Sequence, residues 1–309
     1  MFWLGGSYSN SAVVGTGVVS NILSVVGVVI TNKYITEIDG FNYMVYLSFL
    51  HFLFTAIGTR VLLKFGMFTY KPADLTSVLW VSLGSLLSVA LMNLNLSHNS
   101  VGFYQLSKLA CIPVTLLIQR LAYGEMVSRE VLFTLIPITI GVGYATVHDV
   151  EANKLGTIFA VAAVLATAVA QIFTNTYQKS LDCNALQLLY HTSPIICVGM
   201  LILCPFFDDI STLIAFEFTG MRVGRILFSC VLAFGVNISN YLVLGKTSPL
   251  TYQVLGHLKT VLILLLGFFM FNKAFDLRNG AGIAIAMGGV VWYTEVKRKD
   301  SSSITLLPK

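Results

Sequence analysis

Ten hydrophobic runs follow one another along the 309-residue chain, with only short connections between them. A helix of about 20 apolar residues can cross a hydrocarbon core roughly 30 Å thick, and its backbone satisfies its own polar groups inside the bilayer. Only 11% of the residues are charged, against roughly 25% in soluble domains. The chain is therefore predicted to be an all-α membrane protein with ten transmembrane helices. These cover residues 13–31, 43–63, 77–96, 101–121, 131–147, 155–177, 186–207, 224–244, 250–271 and 280–296.

The distribution of Lys and Arg predicts how these helices are oriented. With a cytosolic N-terminus, the cytosolic segments hold eleven of these residues and the opposite segments hold six. Cytoplasmic loops are enriched in Lys and Arg, so both termini are predicted to be cytosolic. The net charge of +5 is explained by topology, and no basic stripe with interleaved aromatics indicates nucleic-acid binding. The first 15 residues contain no Lys or Arg, so we expect neither a signal peptide nor a transit peptide.

Side chains that carry catalytic or metal chemistry are sparse. The five cysteines form no CxxC pair and lie mostly within apolar runs, which argues against a disulfide framework and against a zinc site. The fourteen acidic residues lie in loops or at the ends of the runs, and no nucleophile–base pair is apparent. We expect the protein to be no enzyme and to hold no metal and no cofactor.

Only two charged residues, Lys108 and Lys259, lie deep inside the apolar runs, and no Asp or Glu accompanies them there. A charge in hydrocarbon costs about 2.5–3.5 kcal/mol on insertion scales, and it indicates a functional site by default. Two cations without an anion predict an anionic ligand that arrives from water. The alternative for each lysine is that its side chain snorkels toward the membrane surface.

An offset of 148 positions superimposes two parts of the sequence without a gap. Ser100 falls on Ser248, the pair 104–105 on the identical pair 252–253, and the pair 141–142 on 289–290. Predicted helices four and five therefore correspond to helices nine and ten, and the duplicated unit is five helices long. An odd unit inserts its second copy upside down, which gives the inverted repeat typical of secondary transporters. We predict two inverted five-helix repeats, at residues 1–155 and 156–298, and a cytosolic tail at 299–309.

The substrate sites of such transporters lie near the midplane where the repeats meet. Lys108 aligns with Gly256 and Lys259 aligns with Cys111, so the lysines are offset by three residues, about 4.5 Å along a helix. Two cations at similar depth on facing helices are suited to binding the two ends of one anionic group.

Polar residues around the lysines are further candidates. Tyr and Gln can hydrogen-bond sugar or base, and Tyr can stack on a base; the alternative is hydrogen bonding between helices. The repeated pairs that lie before the lysines are Tyr104-Gln105 and Tyr252-Gln253.

Three other polar residues lie within the apolar runs near the predicted site. His257 lies two residues before Lys259, on another face of the helix, which favours a structural role. Asn237 and Asn240 in helix eight face either the cavity or a neighbouring helix.

The sequence resembles the triose-phosphate and nucleotide-sugar transporter family of the drug/metabolite transporter superfamily. The resemblance is carried by the run 248–252, by Gly-His-Leu-Lys-Thr at 256–260, by the Gly-rich last run, by Tyr-Gln-Leu-Ser-Lys at 104–108 and by Asn32-Lys33. It implies a ten-helix antiporter with an inverted repeat. It also implies that Lys108 and Lys259 bind phosphate, and that Thr260 stands where the plastid sugar-phosphate branch has an arginine.

The Lys259-Thr260 pair is similar to that of the Golgi UDP-sugar transporters. The GDP-mannose carriers have Gly-Ala-Leu-Asn-Lys where this chain has Gly-His-Leu-Lys-Thr at 256–260. The resemblance therefore implies a UDP-sugar substrate rather than GDP-mannose.

These observations predict a nucleotide-sugar antiporter of the Golgi membrane that exchanges a UDP-sugar for UMP. Its partners are then the nucleotide sugar, the nucleoside monophosphate and the lipid bilayer, with a homodimer left open. Proton coupling is not expected, because no carboxylate lies deep in the apolar runs. The alternatives are a sugar-phosphate/phosphate antiporter of a plastid-type membrane and a membrane receptor or scaffold without transport. The endoplasmic reticulum is an alternative location.

Overall fold

The computed structural model of the protein describes residues 10–99, 101–146, 154–270 and 277–305, and the regular structure in these ranges is entirely helical. Each predicted hydrophobic run lies in one long helix, except that Tyr43 precedes α2 and that residues 147 and 271 fall outside the described ranges. The helices are α1 (Asn10–Glu37), α2 (Met44–Lys64), α3 (Leu75–His98), α4 (Val101–Tyr123), α5 (Arg129–Thr146), α6 (Lys154–Ser180), α7 (Ala185–Phe207), α8 (Ile210–Ile214), α9 (Gly220–Lys246), α10 (Pro249–Met270) and α11 (Leu277–Thr305).

Seven of the helices in the described ranges are long and apolar enough to cross a membrane, judged by length and composition. They are α1, α2, α3, α4, α6, α7 and α9. The protein is therefore a multi-pass membrane protein, as predicted. The count of ten membrane crossings and the orientation of the termini remain predictions.

The five-residue helix α8 was missed by the sequence analysis because it is too short to show a hydrophobic period. Its start nevertheless carries a local signal. The Asp209 carboxylate accepts hydrogen bonds from the backbone nitrogens of Ser211 and Thr212, at 3.0 and 3.3 Å. Side-chain capping of this kind is typical of a helix N-terminus, and these hydrogen bonds hold the pKa of Asp209 below its usual value.

The chain forms two compact units, and each unit takes helices from both halves of the sequence. The first unit comprises Met1–Asn93 and Val169–Pro249, and the second comprises Leu94–Ala168 and Leu250–Lys309. The boundaries fall within α3 and α6, not at the predicted repeat boundary. Helices that the 148-residue offset relates, α4 with α10 and α5 with α11, share the second unit. The division into two repeats remains a prediction.

In the first unit, α1 packs against α9, and α2 packs against α7 and α9. The residue that precedes α2, Tyr43, provides no side-chain cap. Asp208, the residue after α7, caps α2 although it is remote in sequence. Its carboxylate accepts hydrogen bonds from the backbone nitrogens of Tyr46 at 2.6 Å and Val45 at 3.4 Å. Burial raises the pKa of Asp208 more than these hydrogen bonds lower it.

In the second unit, α5 and α11 come into backbone contact at glycines. A Cβ on Gly141 would collide with the Ala286 nitrogen and lie 2.7 Å from the Gly282 carbonyl oxygen, while one on Gly289 would lie 2.9 Å from the Ile138 nitrogen. The 148-residue offset carries Gly141 onto Gly289 and Ile138 onto Ala286. The two contacts are therefore reciprocal, as a twofold axis requires. This reciprocity supports a repeat relationship for this helix pair.

We expect Gly282→Ala to destabilise the protein and Gly288→Ala, on the same helix, to leave it as stable or slightly more stable. A Cβ on Gly282 would lie 2.6 Å from the Ala145 nitrogen, whereas one on Gly288 has no atom within 4 Å. Overpacking costs roughly 1–3 kcal/mol, while Ala in an open helix position gains up to about 1 kcal/mol over Gly. Thermal unfolding of the two purified variants in detergent measures the difference. Equal melting temperatures would contradict the close contact between α5 and α11.

Candidate functional site

The two buried lysines lie on α4 and α10, which run antiparallel in the second unit. Helix α5 follows α4 after the five residues 124–128, and the two helices pack together. As the residue number rises along α5, the number of the contacting residue on α11 falls, so these two helices are antiparallel. Helix α10 begins beside the C-terminal half of α11, where the hydroxyls of Thr251 and Tyr293 are 2.8 Å apart. It follows that α4 and α10 point in opposite directions.

A hydrogen bond between α4 and α10 fixes their relative level. The side-chain amide of Gln253 donates to the hydroxyl of the buried Thr115 over 2.5 Å. Lys259 lies six residues after Gln253, and Lys108 lies seven residues before Thr115. At about 1.5 Å per residue in antiparallel helices, these steps are about 9 and about 10 Å in the same direction. The two lysines are therefore close to level in the helix pair.

Each lysine places its ammonium over a tyrosine ring of its own helix. The Nζ of Lys108 lies 4.3 Å from the ring centroid of Tyr104, and the Nζ of Lys259 lies 5.0 Å from that of Tyr252. Lys259 is only 7% exposed, which does not fit a lysine that snorkels with its head in water. Lys108 is half-buried. The offset of 148 positions relates the two tyrosines, although it does not relate the lysines.

The lysine side chains lean in opposite directions within the second unit. Side chains of a helix point back toward its N-terminus, and Tyr104 and Tyr252 lie four and seven residues before their lysines. Because α4 and α10 are antiparallel, each ammonium is displaced toward a different end of the pair. His257, two residues before Lys259 on α10, is also buried.

The neighbouring candidates differ in what they can offer a ligand. Gln253 is buried and bonded to Thr115, whereas Gln105 on α4 is half-buried. The Thr260 hydroxyl donates to the Gly256 carbonyl oxygen over 3.2 Å. Its single proton is used by the helix backbone, and its oxygen can act toward a ligand only as an acceptor in this arrangement.

Asn237 and Asn240 lie in the first unit, where both join helices. The Asn237 amide donates to the Thr55 hydroxyl over 2.9 Å, which links α9 to α2. Asn240 accepts from the Asn21 amide over 2.7 Å, and Asn21 also donates to Ser239 over 2.9 Å, which links α9 to α1. These contacts match the alternative in which the two asparagines connect helices.

Lys33 also belongs to the first unit and has an acidic neighbour one turn away. Its Nζ lies 3.7 Å from a carboxylate oxygen of Glu37 near the end of α1. The structure does not bring Lys33 together with Lys108 and Lys259 in one unit.

The first unit also contains a polar chain of three side chains, Asn32, Ser229 and His51, which the sequence analysis did not predict. The Ser229 hydroxyl lies 2.9 Å from His51 Nε2 and donates to the Asn32 oxygen over 2.5 Å. Since Ser229 has one proton and gives it to Asn32, His51 Nε2 is the donor to Ser229. The sequence offers only a weak signal for this polar chain, since Asn32 follows the first apolar run and His51 and Ser229 lie among other polar residues in theirs.

Among the residues with described placement, no group of three or more His, Cys, Asp or Glu is arranged to hold a metal ion. The second unit instead combines two cations at similar depth, two tyrosine rings and two glutamines. Ammonium groups attract phosphate, aromatic rings stack on bases, and amides hydrogen-bond sugar hydroxyls. The arrangement suits an anion that also carries a flat or hydroxylated group.

Comparisons with known proteins point to one family of transporters. Residues 19–294 match the Triose-phosphate Transporter family. UDP-xylose transporter 3 of Arabidopsis thaliana is 41% identical over 297 residues, which cover 94% of this chain and 83% of that protein. UDP-rhamnose/UDP-galactose transporter 1 of the same plant is 36% identical over 293 residues, covering 92% of this chain and 84% of its own length.

One crystal structure aligns with 94% of this chain and 99% of its own chain, at a TM-score of 0.72 and 13% identity. At that identity the likeness shows the fold alone. The family and these relatives are transporters and not enzymes, which confirms the prediction that the chain is not an enzyme. By the match over residues 19–294 and by relatives at up to 41% identity, this chain belongs to the triose-phosphate transporter family.

Proposed function

We propose that the protein is a nucleotide-sugar antiporter of the Golgi membrane that exchanges a UDP-sugar for UMP. The single observation that carries the proposal is the pair of level lysines on antiparallel helices, Lys108 and Lys259, in a unit whose two central helices contain no Asp or Glu. The relatives named as transporters of UDP-xylose and UDP-rhamnose/UDP-galactose support a UDP-sugar as the substrate.

The lysines are suited to hold the phosphates of the substrate. A buried ammonium acts as a point charge whose three donors can rotate to fit a phosphate oxygen. Two such groups at similar depth can bind one diphosphate or one monophosphate. Tyr104, Gln105, Tyr252 and Gln253 then lie where they can contact the nucleoside and the sugar.

Exchange follows from the charge of the site. An empty site contains one buried cation, Lys259, and one half-buried cation, Lys108, and burying a charge is costly unless it is paired. A bound anion on either side of the membrane neutralises them and lets the carrier reorient. Because UDP-sugar and UMP both carry phosphate, either one satisfies this requirement.

A sugar-phosphate/phosphate antiporter is the second candidate, favoured by the description of the matching family. Thr260 distinguishes the two. It occupies the position of an arginine in the sugar-phosphate branch, and its proton is donated to the helix backbone. By this resemblance, one phosphate-binding cation of that branch is missing here.

We expect Lys259→Ala to reduce exchange by roughly 30-fold or more. The variant leaves the substrate phosphate without one of its two cations, and truncating one partner of a buried, hydrogen-bonded pair of opposite charges costs about 2–5 kcal/mol. Lys259→Arg should also impair transport, since a planar guanidinium does not replace a point charge in a tight site. Lys154→Ala is the matched control, because Lys154 is exposed at the start of α6. Uptake of radiolabelled UDP-xylose into proteoliposomes measures all three. Near-normal uptake with Lys259→Ala would contradict the proposal that Lys259 binds the substrate phosphate.

The coupling is tested with liposomes that contain UMP, GMP, CMP, inorganic phosphate or buffer alone. We expect uptake of UDP-sugars into UMP-loaded vesicles, little into phosphate-loaded or empty vesicles, and no response to a pH gradient. The absence of acidic residues from α4 and α10 is the reason for the last expectation. Strong exchange for phosphate and none for UMP would assign the chain to sugar-phosphate transport. Proton-driven uptake into empty vesicles would exclude obligate exchange.

A further inference from the structure

The two lysine–tyrosine pairs of the second unit point to opposite ends of the α4–α10 helix pair. Tyr104 lies four residues into α4 and Tyr252 four residues into α10, so each ring is close to the beginning of its helix. Because the helices are antiparallel, these beginnings lie at opposite ends. Each ammonium lies within 5.0 Å of its ring centroid, so each is drawn from the shared level toward its own end.

We infer that Tyr104–Lys108 and Tyr252–Lys259 are two capture sites at the two ends of the one phosphate-binding site, one for each face of the membrane. This inference rests on the proposed function. A phosphate that enters from the face where α4 begins meets the Lys108 ammonium first. One that enters from the face where α10 begins meets Lys259 first. With both termini in the cytosol, these faces are lumenal and cytosolic, respectively.

The tyrosines act as positioning residues in this scheme. A cation over an aromatic face is attracted by the negative charge on that face of the ring. The ring therefore holds the ammonium toward the entrance, where a phosphate that arrives from that face reaches it first. Without the ring, the ammonium is free to move back toward the shared level of the lysines. Capture from that face is then weakened, while capture from the opposite face, which begins at the other lysine, is preserved.

The symmetry of the sequence supports this assignment. The tyrosines are related by the 148-residue offset, but Lys108 and Lys259 are not. The side chains nevertheless reach equivalent rings, over four residues in α4 and seven residues in α10. In both halves of the sequence, therefore, a lysine ammonium lies over a tyrosine ring near the beginning of its helix. The position of the lysine in the sequence differs.

The test is a face-specific measurement of half-saturation in proteoliposomes that share one orientation, selected by capture of a tag on the C-terminal tail. UDP-xylose and UMP serve as probes, each applied outside and inside. We expect Tyr104→Leu to raise the half-saturation concentration about tenfold on the face where α4 begins and to change it less than about twofold on the other. Tyr252→Leu should give the reverse pattern. Tyr144→Leu is the control, because Tyr144 lies on the exposed side of α5 and is 47% exposed.

A second series keeps the shape of the ring in case the leucine variants fail to fold. Tyr104→Phe and Tyr252→Phe should leave the half-saturation concentrations unchanged on both faces. Replacing either tyrosine by a trifluorinated phenylalanine should raise the half-saturation concentration on one face only, because fluorine withdraws negative charge from the ring face. Equal effects on both faces, or no effect of fluorination, would overturn the two-site assignment. If the unmodified protein shows no exchange of UDP-xylose for UMP at all, the proposed function fails instead, so the two failures are distinguishable.

Discussion

The buried ammonium of Lys259 is the constraint on which the second unit depends. Hydrocarbon offers such a charge no solvation, so the protein has to supply favourable contacts. The structure supplies the ring of Tyr252, and it places a second lysine at nearly the same level on α4. Two like charges at one level repel each other. Their displacement toward opposite helix ends reduces this repulsion.

The contact between α5 and α11 also helps to fix the positions of α4 and α10. These two helices meet backbone to backbone at Gly141, Gly282 and Gly289, which leaves little freedom to slide along each other. Their neighbours in sequence, α4 and α10, share a core with them that includes Leu109, Ile138, Val254 and Ile283. The level of the lysines is therefore set by close packing as well as by the single hydrogen bond from Gln253.

The apolar runs predicted the long helices well, because a membrane helix must be apolar along most of its length. The lysines were predicted as a pair for the same reason, since a charge inside such a run stands out. Tyr104 and Tyr252 were predicted to contact a ligand or to hydrogen-bond between helices. Their spacings of four and seven residues from the lysines put each pair on one helix face, a signal for the lysine–tyrosine contacts that the prediction did not use. For the asparagines, the sequence could not distinguish the two predicted roles. Asn237 and Asn240 look alike in sequence whether they face a cavity or a helix, and only the contacts to Thr55 and Asn21 distinguish these cases.

The composition of the two compact units has a consequence for synthesis of the chain. Residues 94–168 of the second unit require the residues from 250 onward for their packing. At about 5–20 residues per second, α4 and α5 are complete several seconds before α10 and α11 are made. During that interval Lys108 lies in the membrane before Lys259 exists, and the glycine surface of α5 faces lipid or another protein. Until α10 and α11 are made, α4 and α5 lack the helices that they pack against in the finished unit, so biogenesis imposes a requirement on the chain that the finished protein no longer displays.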